Sequence, residues 1–201
     1  SEAALGGVGN TDIANNINGQ VFDGQRLSVL SCPSSPLPQM SDPLTTTPLG
    51  VMMPTYVGIS GAATMGGGPN PDAEPTYNGV MASSGVLVPN KSISFADISD
   101  GTTNTLMLGE QSDFARDAAG NKIDLRSSNS HGAWVGSTGS DTPGNGAWFC
   151  TSFQTWNITT VRYPINFLDA TAAQAGGASG LGPQDGANRP VQSIHPGGAN
   201  V

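Results

Sequence analysis

Charged side chains are scarce in this 201-residue chain. They make up 11% of it, against roughly 25% in ordinary soluble domains. Lys91 and Lys122 are its two lysines, and the formal net charge is −8. With no basic cluster to release phosphate counterions, the sequence argues against a nucleic-acid partner. The same acidity argues against an anionic membrane surface. It is compatible with divalent cations and, more simply, keeps a protein soluble. Histidine is equally scarce, His131 and His195 being the pair. No G-x-S-x-G elbow occurs, so no motif assembles the nucleophile, base and oxyanion site of a hydrolase, and no enzyme is expected. No run approaches the roughly 18 apolar residues of a membrane helix.

Small and turn-forming residues take the place of charge. Glycine (28) and proline (15) together fall just short of the share that marks disorder, roughly 25–30%. This is the composition of a loop-rich, β-rich extracellular protein, in which Ser, Thr, Asn and Gly make turns and solvated strand faces. The length suits one core and one domain over residues 1–201. The expected fold class is α+β, β-rich, with a mainly antiparallel sheet, short helical turns and long Gly/Pro-rich loops.

Residues 1–20 read as a connecting segment. Leu27-Ser28-Val29 alternates as a strand does. Six prolines from Pro33 to Pro54 exclude a helix or central strand there. A short strand is expected at 56–59, and a loop with a flexible Gly66-Gly67-Gly68 centre at 61–75. Residues 79–88 read as a short strand or anchored loop. Asp117 to Asn121 is a turn, with 122–125 pairing back as a hairpin. Residues 155–163 carry the best β signal of the second half. Residues 170–188 read as an exposed small-residue loop.

Residues 94–110 are the most informative stretch. Ser94-x-x-Asp97 is a helix-start pattern, and Phe95 and Ile98 would give its single turn an apolar face. Asp100-Gly101 breaks the turn, because Gly tolerates positive φ. Residues 105–108 then read as a core strand, apolar on both faces. Phe95, Ile98, Leu106, Leu108, Trp148 and Trp156 are the expected core.

This segment resembles the DI-x-DG-T-S/T-N-T-L-x-x-GE signature of a large bacterial family of pilin-like, prepilin-type surface proteins. Asp97, Asp100, Gly101, Asn104, Gly109 and Glu110 carry the match. Leu30-Ser31-Cys32-Pro33-Ser34 resembles the family's "LCPS" strand end, and Tyr56-Val57-Gly58 its "NYxG" element. His195, Gly197, Gly198 and Asn200 resemble the start of its terminal His-x9-Asp-Gly motif. The resemblance implies a pilin-like globular head whose N-terminal assembly helix precedes Ser1, with the chain stopping before the Asp-Gly. It implies a structural subunit of an extracellular filament, pilus or type II secretion pseudopilus. Such a subunit is exported, sits at the bacterial cell surface, and has copies of itself or related subunits as partners. The loops at 33–54, 61–75 and 170–190 are the expected contacts, and an open sheet edge near Val201 would be covered by another polypeptide. The alternative is a secreted carbohydrate- or surface-binding module stacking sugars on Trp134, Trp148 or Trp156.

Three candidate sites remain. In an exported protein Cys32 and Cys150 suggest one disulfide, two buried thiols being the other reading. Calcium is the cation best suited to Asp113, Asp117, Asn121 and Asp124, which offer hard oxygens around a turn. Asp169 and Asp185 stand behind them, and a plain hairpin turn is the preferred reading. A zinc site from Cys32, Cys150, His131 and His195 is possible by ligand type but matches no known spacing. For His195 the plainer role is a structural donor fixing the Pro-Gly-Gly turn.

Overall fold

The computed structural model describes residues 22–41, 49–76, 78–88, 91–128, 157–171, 177–182 and 186–201. Among the described residues the strands are β1 (Tyr56–Ala62), β2 (Thr64–Met65), β3 (Gly68–Pro69), β4 (Ala73–Thr76), β5 (Gly79–Ala82), β6 (Leu108–Glu110), β7 (Ala115–Arg116), β8 (Lys122–Ile123) and β9 (Ile158–Val161). Among the described residues, helix is limited to brief turns, and the fold class is β-rich as expected. The central sheet has the order β6-β1-β9. β6 runs antiparallel to β1 and β9 parallel to it. β1 sits in the middle because Val57, Ile59 and Ser60 are all buried along it. At Gly61, with φ +145, the register against β9 shifts, as a bulge does.

Several expected elements are present. β5 and β9 fall within the stretches expected to be extended, and β1 starts at the expected Tyr56 but runs on to Ala62, beyond the expected end at 59. β7 and β8 form the hairpin around the turn at Asp117 to Asn121. Phe95–Asp97 is a single helical turn with a Ser94–Asp97 capping box, and Gly101 follows at φ +86.

Other expectations are corrected. Residues 61–75 are not a flexible loop: β2 and β3 pair across the Gly66-Gly67 turn, and β4 pairs with β5. Ser28–Leu30 is a 3-10 turn rather than a strand. Residues 105–107 precede the strand, which begins at Leu108 and forms a sheet edge. The expected core is therefore misplaced there. Phe95 is 81% exposed, Leu106 44% and Leu108 38%, while Ile98 is half-buried. A one-turn helix and an edge strand each lack a second layer to cover them. Trp148 and Trp156 lie outside the described residues.

Apolar packing comes from elsewhere. Val51, Met52, Met53, Val57, Ile59, Met81 and Ala82 are buried. Ala115, Leu125, Ala170 and Leu181 form a separate cluster, against which the stacked rings of Tyr163 and Phe167 pack.

The segment 186–193 is the main departure from the expected exposed loop. Asn188, Arg189 and Gln192 are at most 1% exposed, and the segment threads the interior as a polar ribbon. Its peptides bond β9 at Thr160 N–Ala187 O (2.8 Å) and β6 at Gln192 N–Glu110 O (2.8 Å). Asn188 Oδ1 accepts the Val80 amide, and Asn188 Nδ2 donates to the carbonyls of Val80 and Thr160. Arg189 donates to the carbonyls of Arg126 and Gly182. Arg126, itself fully buried, pairs with Asp124 and donates to Met53 O. Gln111 donates to the carbonyls of Arg189 and Pro190 and accepts the Ser127 amide. A low-charge chain thus fills part of its interior with amides and guanidinium groups, which is tolerable because most of their donors and acceptors are paired, Gln192 Oε1 being an exception.

Two outcomes are expected. Asn188→Ala leaves one buried amide and two carbonyls without partners, at about 1–3 kcal/mol each before relaxation; urea unfolding should show a loss of about 3 kcal/mol or more. The Asp97 carboxyl is held below its ordinary value by hydrogen bonds from the Ser94 hydroxyl and amide. Its capping contribution is then complete above the ordinary carboxylate pKa, about 3.9. It fades as pH falls through the lower folded value. An NMR titration should show the Ser94 amide shift following that depressed pKa, and Asp97→Asn should abolish the dependence.

Candidate functional site

Cys32, Glu110 and His195 meet at the upper end of β6, and each arrives by a different route. Cys32 follows the Ser28–Leu30 turn and is fixed by its amide, which donates to Thr55 Oγ1 at 2.6 Å. Glu110 closes β6 opposite Tyr56 of β1. His195 follows the buried ribbon, its amide donating to Ser193 Oγ at 3.0 Å. Cys32 is 2% exposed and Glu110 0%, whereas the His195 side chain is 40% exposed.

The three ligand-type atoms converge. Cys32 Sγ lies 3.4 Å from His195 Nε2, and Glu110 Oε1 lies 3.5 Å from the same nitrogen. The sulfur, nitrogen and oxygen all fall within 4.8 Å of one another, and no other such group of three His, Cys, Asp or Glu forms among the described residues. A Cys-His-acid relay would put the acid on the ring nitrogen opposite the thiol. Here both approach Nε2, so the geometry is that of convergence on a point.

Glu110 is the hub. Oε1 accepts from Ser112 Oγ at 2.5 Å, and Oε2 accepts from the Asn200 amide (2.9 Å) and Nδ2 (2.8 Å). The Glu110 amide donates to Asn200 O at 3.0 Å, so the last residues lie along the outer edge of β6. Burial pushes the Glu110 carboxyl up. Hydrogen bonds from Asn200, Ser112, Ser193 and Cys32 outweigh it and leave the group below its ordinary range. The Tyr56 phenol is raised, first by burial and then by the charges of Glu110 and Cys32. Gly109 is required beside this hub, because a Cβ there would stand 2.6 Å from Val191 Cγ2.

The sequence-derived candidates fall in several places. Cys32 is a free thiol, and Cys150 lies outside the described residues, as do His131, Asp185 and the three tryptophans. Asp113, Asp117, Asn121 and Asp124 are engaged locally. Asp113 accepts the Phe114 amide, and Asp124 binds Arg126. Asp117 accepts the amides of Ala119 and Asn121 and the Asn121 side chain, in the manner of an Asx turn. Asp169 caps Thr171. Asp100 and Asn104 tie the turn after Asp97, through Asn104 Nδ2 to Asp100 O and Thr105 Oγ1 to Asp100 Oδ1. His195 closes the Pro-Gly-Gly turn with its carbonyl, which accepts the Gly198 amide, leaving the ring for the cluster.

Sequence reasoning assigned Glu110 to scaffold and missed the convergence. One signal pointed to it: the four family-like motifs contribute Cys32, Tyr56, Glu110 and the pair His195 and Asn200, all at this place. No local spacing shows it, because Cys32 and His195 are 163 positions apart.

A family model described as "Protein of unknown function (DUF1559)" matches residues 8–201, and the chain belongs to that family. It is a family of bacterial surface proteins often associated with prepilin-type motifs. No curated protein and no solved structure matches the chain. Among the described residues no helix is long and apolar enough to cross a membrane.

Replacing Glu110 by Ala strands the donors of Ser112 and Asn200 and releases the terminal segment. Hydrogen bonds to a charged group contribute about 1.5–3 kcal/mol each, so Glu110→Ala should lose about 3 kcal/mol or more in urea unfolding. Amide exchange at Asn200 should rise with it. Glu110→Gln, which keeps one carbonyl acceptor, should lose less.

Proposed function

We propose that this member of the DUF1559 family is a structural head, the globular part of a pilin- or pseudopilin-like subunit that assembles with copies of itself or related subunits at the bacterial surface. The observation that carries the reading is how the family-like motifs use their side chains. Asp97, Asp100 and Asn104 build turns. Gly109 makes room for Val191, while Glu110 and Asn200 fasten the last segment to the edge of the central sheet. These are the uses of a scaffold that must present a fixed surface, and the reading needs no catalytic step.

A second feature fits subunit contact. An apolar groove of 350 Å³ crosses the central sheet, lined by Leu30, Tyr56, Leu87, Leu108 and Ile158. Leu106, Met107 and Leu108 extend exposed apolar surface along the approach to edge strand β6. An uncovered edge with apolar side chains is a surface on which a partner packs. This reading places a neighbouring subunit there, and so revises the contact surface expected from loops alone. Segment 186–193 is interior, and the outer edge of β6 is already covered from Glu110 onward by the chain's own Gln192 and Asn200.

The experiment is to introduce Leu108→Glu into the protein as its host produces it. Assembly should fall, seen as loss of high-mass cross-linked species and of filaments in electron micrographs, while unfolding of the isolated head stays cooperative. Wild-type protein that remains monomeric on the cell surface by cross-linking would sink the proposal.

A further inference from the structure

We propose that Cys32, Glu110 and His195 form a zinc site, a role separate from assembly and resting on different atoms. Zinc bonds sulfur at about 2.3 Å, imidazole nitrogen at about 2.0–2.1 Å and carboxylate oxygen at about 2.0–2.2 Å, in tetrahedral geometry. Those bond lengths place neighbouring ligands roughly 3.4–3.6 Å apart. The observed separations are 3.4 Å from Cys32 Sγ to His195 Nε2 and 3.5 Å from Glu110 Oε1 to the same atom. Two edges of the tetrahedron are already in place.

Without a cation the Cys32 thiol hydrogen-bonds Glu110, and His195 can join only one of the two. Nε2 carries either one N–H or one lone pair, so it can serve the thiol or the carboxylate but not both along one direction. A cation between the three atoms serves all of them. Charge points the same way. Glu110 is a fully buried carboxylate, and among the described residues His195 is the one basic side chain within ion-pair distance of it. A buried charge requires compensation. On binding, the Cys32 thiol releases its proton to solvent and becomes a thiolate, and His195 presents the Nε2 lone pair with its proton on Nδ1. Thiolate, carboxylate and a divalent cation then sum to zero.

The ligand set selects the metal. Sulfur and imidazole suit zinc, whereas calcium takes six to eight oxygens. The surroundings supply the outer shell that orients metal ligands. Ser112 and Asn200 hold the Glu110 carboxylate, leaving one lone pair of Oε1 for the ion. Thr55 fixes the Cys32 backbone. Three protein ligands leave a fourth position, which opens on the side of half-exposed His195.

The test uses the full chain, stripped with chelator and titrated with zinc or cobalt(II). One equivalent should bind, and the cobalt form should show a sulfur-to-metal charge-transfer band with tetrahedral d–d absorption. Asn200→Ala should weaken zinc about 10–100-fold, the usual cost of losing an outer-shell partner. Cys32→Ser and His195→Ala should weaken it further, while Cys150→Ser and His131→Ala leave it unchanged. If a variant fails to fold, the wild-type cobalt spectrum decides alone. A spectrum without the sulfur band, zinc affinity unchanged in Cys32→Ser, or a Cys32–Cys150 disulfide in the native protein by non-reducing mass would overturn the proposal.

Discussion

The hydrogen bonding of one buried polar ribbon, residues 187–192, holds the described parts of this fold together. Ala187 reaches β9, Asn188 reaches β5, and Gln192 reaches β6. Arg189 reaches the segment after β8. Strands as short as two to four residues have little independent stability. Here they share a common partner that satisfies their outward-facing peptides. The arrangement is demanding, since each of those groups would be costly if left unpaired. It also explains how a chain with so little charge keeps two arginines inside: both donate to backbone carbonyls.

The same ribbon delivers the site. It leaves the interior at Ser193 and turns through His195, setting the imidazole against Cys32 and Glu110. Asn200 then returns to Glu110, so the carboxylate is gripped from both ends of one turn. Scaffold and cluster are one network. The family signature around Glu110 therefore has a physical purpose beyond filling a core strand.

Local chemistry was legible in the sequence, and long-range placement was not. Ser94 and Asp97 cap a turn, Gly101 leaves it with positive φ, and Asp117 to Asn121 reverses the chain, because each depends on neighbours a few residues away. β1 and β9 were legible from their β-branched and aromatic residues. Leu106 and Leu108 were misread because an apolar run does not say whether a second layer covers it; β6 is an edge. The small-residue stretch from position 170 looks like surface, yet Ala170, Leu181 and Ala187 are buried, and a Cβ at Gly180 would collide with the Asn188 side chain. Cys32 and His195 were joined by ligand type alone, in a candidate zinc set with Cys150 and His131, and nothing local joined Glu110 to them.

The distance between Cys32 and His195 along the chain has a further consequence for the order of folding. Their contact spans 163 positions, and non-local contacts of this kind slow folding, because loop closure must precede any reward. A chain that emerges from its N-terminal side exposes the Cys32 thiol long before its partners exist. During that interval Cys150 is already present as a rival in any oxidising compartment. The cluster thus cannot close until His195 has emerged, 45 positions after the rival Cys150.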